Sequence, residues 1–460
     1  MERLPAVELV PPKDRRLPNE SMIATSLLIA SLLRSSLAAE GTAPSAVLSL
    51  DEAVKMALAL QPQLQQIRAG TEAAYARADE ARAPLLPRLD LTGIYSRATG
   101  NFAARPGSFP PSGTTTTRPA SFRSFNFYQL GATASQLIWD FNLTWDRWRS
   151  AQATAEAQRF SEYSLQLQTI LMVQVSYFTV RARKDLVTVA QDTLDNQLRH
   201  LHQIEGFVRV GTRPEIDLAQ ARTDEANARV LLINAENNYD TSKAQLNQTI
   251  GIERSTDYEV GNETLPPFPG EDQPTEPLLD RALKSRPEFA SIEQSVRAQR
   301  FILNSVKGAY FPSFLFGASF TDNGPSLDSL TWNWSGQLQI NWNIFQGLLT
   351  KSQVREANYN LVSIEAQREG LRQAVRLEVE QARFFLRGAK AALIAAGEAL
   401  ENARIRLRLA ERRYQTGVGD VIELGDAQVA LTAAAAQEVT ARFNVAIGRA
   451  QLIKAVGGPG

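Results

Sequence analysis

Between Trp332 and Ile344 the chain alternates without a break. Trp332, Trp334, Gly336, Leu338, Ile340, Trp342 and Ile344 fall on one face, and Asn333, Ser335, Gln337, Gln339, Asn341 and Asn343 on the other. A period of two is that of a strand with two unlike faces. The wet face of a soluble sheet usually carries charge, whereas this polar face is neutral. Tryptophans toward both ends of the apolar face fit the two interfacial belts of an outer-membrane barrel wall, so Trp332, Trp334, Leu338, Ile340 and Trp342 are read as lipid-facing. The less regular segment 125–140 puts Tyr128, Leu130, Ala132 and Ala134 on the corresponding face. Further on the period changes. Val379, Ala382, Leu386, Ala389, Leu393, Ala396, Leu400, Ala403, Leu407, Ala410 and Tyr414 are spaced by alternating threes and fours, a heptad seam whose alanines let helices approach closely. The helical pattern around it, about 349–415, contains no proline and corresponds to a helix roughly 100 Å long.

These elements occur twice. Ala57, Leu58, Pro62 and Pro87 recur as Ala282, Leu283, Pro287 and Pro312, each 225 residues on. Thr144, Arg149, Ala151, Gly211, Leu218, Ala221 and Gly251 recur as Thr350, Arg355, Ala357, Gly417, Leu424, Ala427 and Gly457, each 206 residues on. The change of offset falls where the first half carries the Pro/Ser/Thr-rich stretch Arg105 to Ser124 and the second only the turn around Asp322 to Pro325. Each half predicts the same order. A helix comes first, opened in the first half by a Ser49/Glu52 capping box and running to about Ala83, where Pro84 and Pro87 stop it; its counterpart runs from about Glu276 to Ala309. Two strands follow, about 88–100 with 125–140 and about 312–322 with 331–346. Then come a long helix (about 143–208 and 349–415), a glycine turn, and a return helix from Pro214 to Ile250 or from Asp420 to Val456. The repeats are thus 45–251 and 278–457, joined by a Pro/acidic linker, 252–277. Four strands cannot close a barrel, which needs about eight, so a barrel must be shared between chains.

Composition narrows the function. Lysine plus arginine equals aspartate plus glutamate at 49 each, which leaves no basic field for nucleic acid. There is no cysteine, hence no disulfide, thiolate metal site, thiol catalysis or lipoprotein anchor. The two histidines, His200 and His202, stand two apart on a helix and point in different directions, so they are read as a solvated face without a metal. No cofactor is expected. Residues 1–38 read as an export signal: Lys13, Arg15 and Arg16 precede the largely apolar run Met22 to Leu33 and the small residues Ser36 to Ala39, with cleavage after Ala38. A start at Met22 would leave that signal without its basic end. The run is too short to span a bilayer as a helix, and no longer one follows.

In this order the motifs resemble the TolC-like outer membrane efflux proteins (outer membrane factors) over essentially the whole mature length. The matching segments are Ala83-Pro84-Leu85-Leu86-Pro87 and Tyr310-Phe311-Pro312 at the helix-to-strand junctions and Ile344-Phe345-Gln346-Gly347 at a strand-to-helix junction. The hairpin tip Arg413 to Gly417, running on to Glu423 through Gln428, matches as well. The resemblance implies a mostly α chain with a membrane β-barrel portion, trimerising into a shared twelve-stranded β-barrel above a periplasmic α-helical barrel. It implies a Gram-negative outer-membrane location extending into the periplasm. It also implies a passive exit channel for a tripartite efflux pump or type I secretion system, not an enzyme. Its partners would be two further copies (a homotrimer), a periplasmic adaptor (membrane fusion) protein, an inner-membrane transporter and outer-membrane lipid. The alternative is an adaptor-like coiled-coil protein of an envelope-spanning complex, which would leave the duplicated strands without a role.

Two sites follow. The tips, with Val210, Gly211 and Thr212 in one turn and Gly417, Val418 and Gly419 in the other, are expected to dock the adaptor, glycine permitting positive φ and close approach. Glu423 and Asp426 are three apart and share a helix face. Either they ring a narrow cation-selective mouth, with Asp217 adding to it, or they favour the helix N-terminus and face solvent. In the resembling family a tyrosine and an arginine on this hairpin help hold the entrance shut. Tyr414 matches the tyrosine, Gly419 stands where the arginine would be, and Arg213 on the other tip is the candidate substitute. Tyr310, Phe311 and Pro312, with Pro84 and Pro87, are expected to mark the membrane edge.

Overall fold

The computed structural model describes residues 47–99, 101, 121–253 and 255–458. The expected export signal and most of the 105–124 loop lie outside them. The chain divides into two units, Met1–Val47 with Asp257–Glu259, and Leu48–Thr256 with Val260–Gly460. Everything below concerns the second.

Its elements are α1 (Leu50–Leu60), α2 (Pro62–Arg82), β1 (Arg88–Thr99), β2 (Ser124–Trp139), α3 (Leu143–Arg209) and α4 (Glu215–Ile250), then α5 (Thr275–Ser285), α6 (Pro287–Gly308), β3 (Ser313–Gly324), β4 (Thr331–Asn341), α7 (Leu349–Gln415) and α8 (Val421–Ala455). The Ser49/Glu52 capping box forms. The single helix expected from Ser49 to about Ala83 is in fact two. Pro62 has no N–H to continue the ladder and forces Gln61 into extended backbone, φ −61° and ψ 119°. Arg286 and Pro287 break the second copy in the same way. Each break packs against the glycine that ends the return helix. A Cβ on Gly251 would lie 2.9 Å from the Gln61 Cα, and one on Gly457 would lie 3.0 Å from the Ser285 carbonyl carbon.

The four strands form one antiparallel sheet in the order β1-β2-β3-β4. Directly opposed residues share a face, so the register assembles faces from the alternation. Leu89, Leu91, Leu130, Ala132, Ala134, Phe316, Ala318, Phe320, Trp334 and Leu338 come to one face, whereas Asp90, Thr92, Thr133, Ser135, Ser319, Asn333, Ser335 and Gln337 come to the other. Pairing stops at Ser313 with Asn341, short of the expected end near 346. The neighbouring strand begins only after Pro312, so nothing is left for residues 342–346 to pair with, and the indole Nε1 of Trp342 instead donates to the Tyr310 carbonyl at 3.1 Å. Leu348, at φ 67°, then turns the chain into α7, as Phe141 and Asn142 (φ 53° and 68°) turn it into α3.

Helices α3 and α7 each have 67 residues, roughly 100 Å at the α-helical rise. Val379, Ala382, Leu386, Ala389, Ala396, Ala403, Leu407, Ala410 and Tyr414 of the heptad seam are buried. Helix α3 packs on α2, α4, α6 and α8, and α7 on α8, α6 and α5. One core, including Leu278, Leu279, Val379, Leu386 and Leu452, lies where α5 meets the middle of α7 and the end of α8. A second lies at the hairpin tips. No described helix is long and apolar enough to cross a membrane.

Candidate functional site

The two hairpins end in the same turn. Thr212 N–H donates to the Phe207 carbonyl at 3.0 Å and Gly211 N–H to Val208 at 2.9 Å; 206 residues on, Val418 N–H donates to Arg413 at 3.0 Å and Gly417 N–H to Tyr414 at 3.1 Å. This paired six-to-one and five-to-two bonding closes a helix on a left-handed residue, here Gly211 at φ 74° and Gly417 at φ 78°. Both glycines face open space. Val210 and Val418 are the exposed apolar tips beside them.

The turns diverge at one position. Gly419 is buried, and a Cβ on it would meet the Tyr414 amide nitrogen at 2.8 Å and the Arg413 carbonyl carbon at 2.9 Å. These are rigid backbone atoms, so no side chain fits, an arginine least of all. The equivalent position of the first turn is Arg213, and its guanidinium reaches across to the second hairpin. Its Cζ sits 4.5 Å from the centroid of the Tyr414 ring, and an Nη donates to the Tyr414 carbonyl at 3.3 Å.

Tyr414 is 2% exposed, within a core of Ile204, Ala221, Leu407, Ala410, Leu424 and Ala427 drawn from four helices. The rings of His200 and Phe207 stand 5.5 and 6.5 Å from it. Its hydroxyl oxygen is shut away with no hydrogen-bond partner. Burial pushes its pKa up; Asp217 and Asp420 act in the same direction, against Arg213. His200, expected on a solvated face, is instead 8% exposed. It lies on the stripe of α3 that carries Gln197 and Ile204, which the structure turns inward. Burial lowers the His200 pKa, partly opposed by Asp224 and Asp217. Gln197 Nε2 donates to Gln428 Oε1 at 2.9 Å between buried side chains, leaving Gln197 Oε1 unpaired.

The three expected carboxylates do not share one setting. Asp217 is buried in the first turn of α4. Glu423, its equivalent in the second repeat, is half-buried and pairs with Arg413 of its own hairpin at 3.2 Å, and Asp426 is exposed. Arg413 and Gln428 entered the sequence reading only as part of the tip motif and His200 only as a solvated helix face, with no role at the site, and Gln197 was missed. The heptad spacing of α3 was the available signal for Gln197 and His200.

The sheet lies at the opposite end of α3 and α7. Trp332, Trp334, Leu338, Ile340 and Trp342 are all exposed in the single chain. Charge enters the apolar face only toward the loop end, as Arg97 and Asp322. Phe141 stacks on Phe311 at 4.7 Å and contacts Trp139 at 6.2 Å, an aromatic cluster at the helix–strand junction.

The profile of the outer membrane efflux protein family matches residues 53–252 and 278–458. The chain is 24% identical over 413 residues to the outer membrane protein TolC of Escherichia coli (strain K12), covering 86% of this chain and 79% of that one. It is 26% identical over 392 residues to the solvent efflux pump outer membrane protein SrpC of Pseudomonas putida, covering 82% and 78%. Among solved structures it superposes on the Campylobacter jejuni CmeC outer membrane channel with a TM-score of 0.78 at 18% identity, over 92% of this chain and 90% of that one. For the Vibrio cholerae outer membrane protein VceC the TM-score is 0.76 at 17% identity, over 89% and 96%.

Proposed function

The chain belongs to the outer membrane efflux protein family and shares its outer-membrane location and transport role; from that premise we propose that it is the homotrimeric exit duct of a tripartite efflux pump or type I secretion system, conducting passively. One observation carries the reading: a four-stranded sheet with an apolar face, a polar face and two unpaired edges sits on the same chain as two hairpins, each pairing a 67-residue helix with a return helix of 36 or 35 residues. Three such sheets joined edge to edge give twelve strands, which removes every edge, as lipid requires. Strands of 11 and 12 residues, at about 3.3 Å per residue and tilted about 40°, span about 28 Å, close to the apolar band of such barrels. Trp332, Trp334, Leu338, Ile340 and Trp342 then face lipid. The helices form the periplasmic duct, with the adaptor docking on Val210, Gly211, Thr212, Gly417, Val418 and Gly419 and an inner-membrane transporter supplying energy.

The tip is the gate in this reading. Arg213 on the Tyr414 ring holds the second hairpin against the first, and Asp217, Glu423 and Asp426 supply negative charge to the mouth. The test is gel mobility of outer-membrane extracts with and without heating, followed by conductance in planar bilayers. A heat-dissociated oligomer that conducts is expected. A monomer on unheated gels, or an oligomer that never conducts, refutes the duct.

A further inference from the structure

The tip core contains an ionisable group that its packing needs neutral. His200 is buried at a junction of four helices, edge-on to Tyr414 at 5.5 Å with the planes 68° apart. The core just beyond it consists of Ile204, Ala221, Leu407, Ala410, Leu424 and Ala427. A hairpin joined to its neighbour only through apolar packing would resist separation. This one instead carries a polar seam along α3: Thr193 Oγ1 lies 3.0 Å from Thr432 Oγ1, Gln197 bonds Gln428, and His200 meets Tyr414. Two buried atoms on the seam, Gln197 Oε1 and the Tyr414 hydroxyl, have no partner, so the closed packing is already incompletely satisfied there.

We infer that His200 is an acid-responsive release for the tip: a proton on its imidazole loosens the α7–α8 hairpin from α3 and favours the open channel. The inference rests on the tip being the gate. The groups that face His200 fix the sign. From α4, Asp217 and Asp224 act on it through space. From α7 it meets Tyr414, whose ring also carries the Arg213 guanidinium. From α8 the buried side chains near the tip are Leu424, Ala427 and Gln428, none of them charged. Burial outweighs both carboxylates and lowers the pKa. The closed tip therefore binds the proton less well than the open one, where the ring returns to water and its ordinary value of about 6.5. Above that value the preference of the unprotonated imidazole for the closed tip acts in full. As pH falls through it, the closed-to-open ratio drops by up to about tenfold per pH unit for each imidazole, and three imidazoles in a trimer steepen the fall. Exposed His202, two residues on, has no such leverage.

The chain has no cysteine, so spin labels at Val210→Cys and Val418→Cys report the separation of the two tips in full-length trimers in nanodiscs. Titrating from about pH 7.5 to about pH 5.5, across the imidazole range, should widen the parent's distance distribution and do the same in His202→Gln. His200→Gln should stay closed throughout, and His200→Phe, which keeps an aromatic edge against Tyr414 without a proton site, should do so even if glutamine disturbs assembly. A parent that does not widen, or a His200→Phe trimer that widens like the parent, overturns the inference. Conductance of the same preparations separates the two readings. Trimers that conduct without an acid-driven widening remove only the release, whereas trimers that widen with acid but never conduct remove only the duct.

Discussion

Tyr414→Phe and Arg213→Ala should act on the proposed gate in opposite directions. The Tyr414 hydroxyl is buried and unpartnered, and an unsatisfied buried polar group costs about 1–3 kcal/mol. Deleting it keeps the ring, the Arg213 contact and the apolar packing, so Tyr414→Phe should favour the closed tip by about 1 kcal/mol per chain, the low end of that range. Arg213→Ala removes a guanidinium 4.5 Å from the ring centroid and a 3.3 Å bond to the Tyr414 carbonyl. For a half-exposed arginine these are worth about 1 kcal/mol and about 0.5–1 kcal/mol. If three chains open together, the per-chain values triple: roughly 3 kcal/mol toward closed for the phenylalanine, and roughly 5 kcal/mol toward open for the alanine. At 1.4 kcal/mol per tenfold these are about a hundredfold fewer openings and roughly four thousandfold more. Single-channel recordings of reconstituted trimers give the open fraction directly. Should Tyr414→Phe open the channel as Arg213→Ala does, the hydroxyl makes a closing bond, between chains or through water, and the cation–ring clamp is not what holds the tip.

Three further outcomes follow from the packing. Leu348 is exposed yet left-handed at φ 67°, which costs a side-chain-bearing residue about 1–2 kcal/mol, so Leu348→Gly should raise the temperature at which trimers dissociate on gels by a stabilisation of about 1 kcal/mol per chain. Gly251→Ala puts a Cβ 2.9 Å from the Gln61 Cα at φ 84°, and should lower thermal stability by more than about 2 kcal/mol, whereas Gly370→Ala, in open helix surface, should be neutral or stabilising. Burial pushes the Glu271 carboxyl up, but Lys390 and Arg449 outweigh it and hold its pKa below the usual carboxylate value; a depressed pKa stabilises above that value and the benefit fades as pH falls through it. The protection of amides around Glu271, taken relative to intrinsic exchange at each pH, should therefore fall in acid, and Glu271→Gln should remove most of that fall.

The sequence carried the fold because periodicity and duplication are global signals. Every residue of the Val379–Tyr414 seam adds to one pattern, and the strand alternation survives in the register that puts Trp334 opposite Phe320. The breaks at Gln61 and Arg286 were visible as Pro62 and Pro287, but a proline at a helix start and a proline inside a helix look alike until a partner surface is known, here Gly251 and Gly457. The end of β4 at Asn341 was set by its neighbour's beginning at Ser313, a pairing fact absent from β4's own alternation, which runs on to Ile344. At the tip, the family resemblance suggested Tyr414 and Arg213, whereas the burial of His200 depended on its meeting the Tyr414 ring of another helix, and the pairing of Glu423 with Arg413 on the tightness of one turn.

That tightness also explains why the duplicated tips are not interchangeable. At equivalent positions the first turn has Arg213 and the second Gly419, and the first long helix has Val208 where the second has Tyr414. Had both tips kept an arginine, the second could not have closed, because a Cβ at 419 collides with the backbone of residues 413 and 414. That same backbone carries the Tyr414 carbonyl that Arg213 binds. The glycine thus shapes the surface that receives the other hairpin's arginine, and the arginine is only useful on the hairpin whose turn has room for it. A chain with two identical tips would offer six equivalent contacts in a trimer and no preferred partner for any of them. In the proposed trimer, unlike tips make one directed clamp per chain, from the first hairpin onto the second, so opening requires the Arg213 contact with Tyr414 to break in each chain, and the energy of three clamps sets how often that happens.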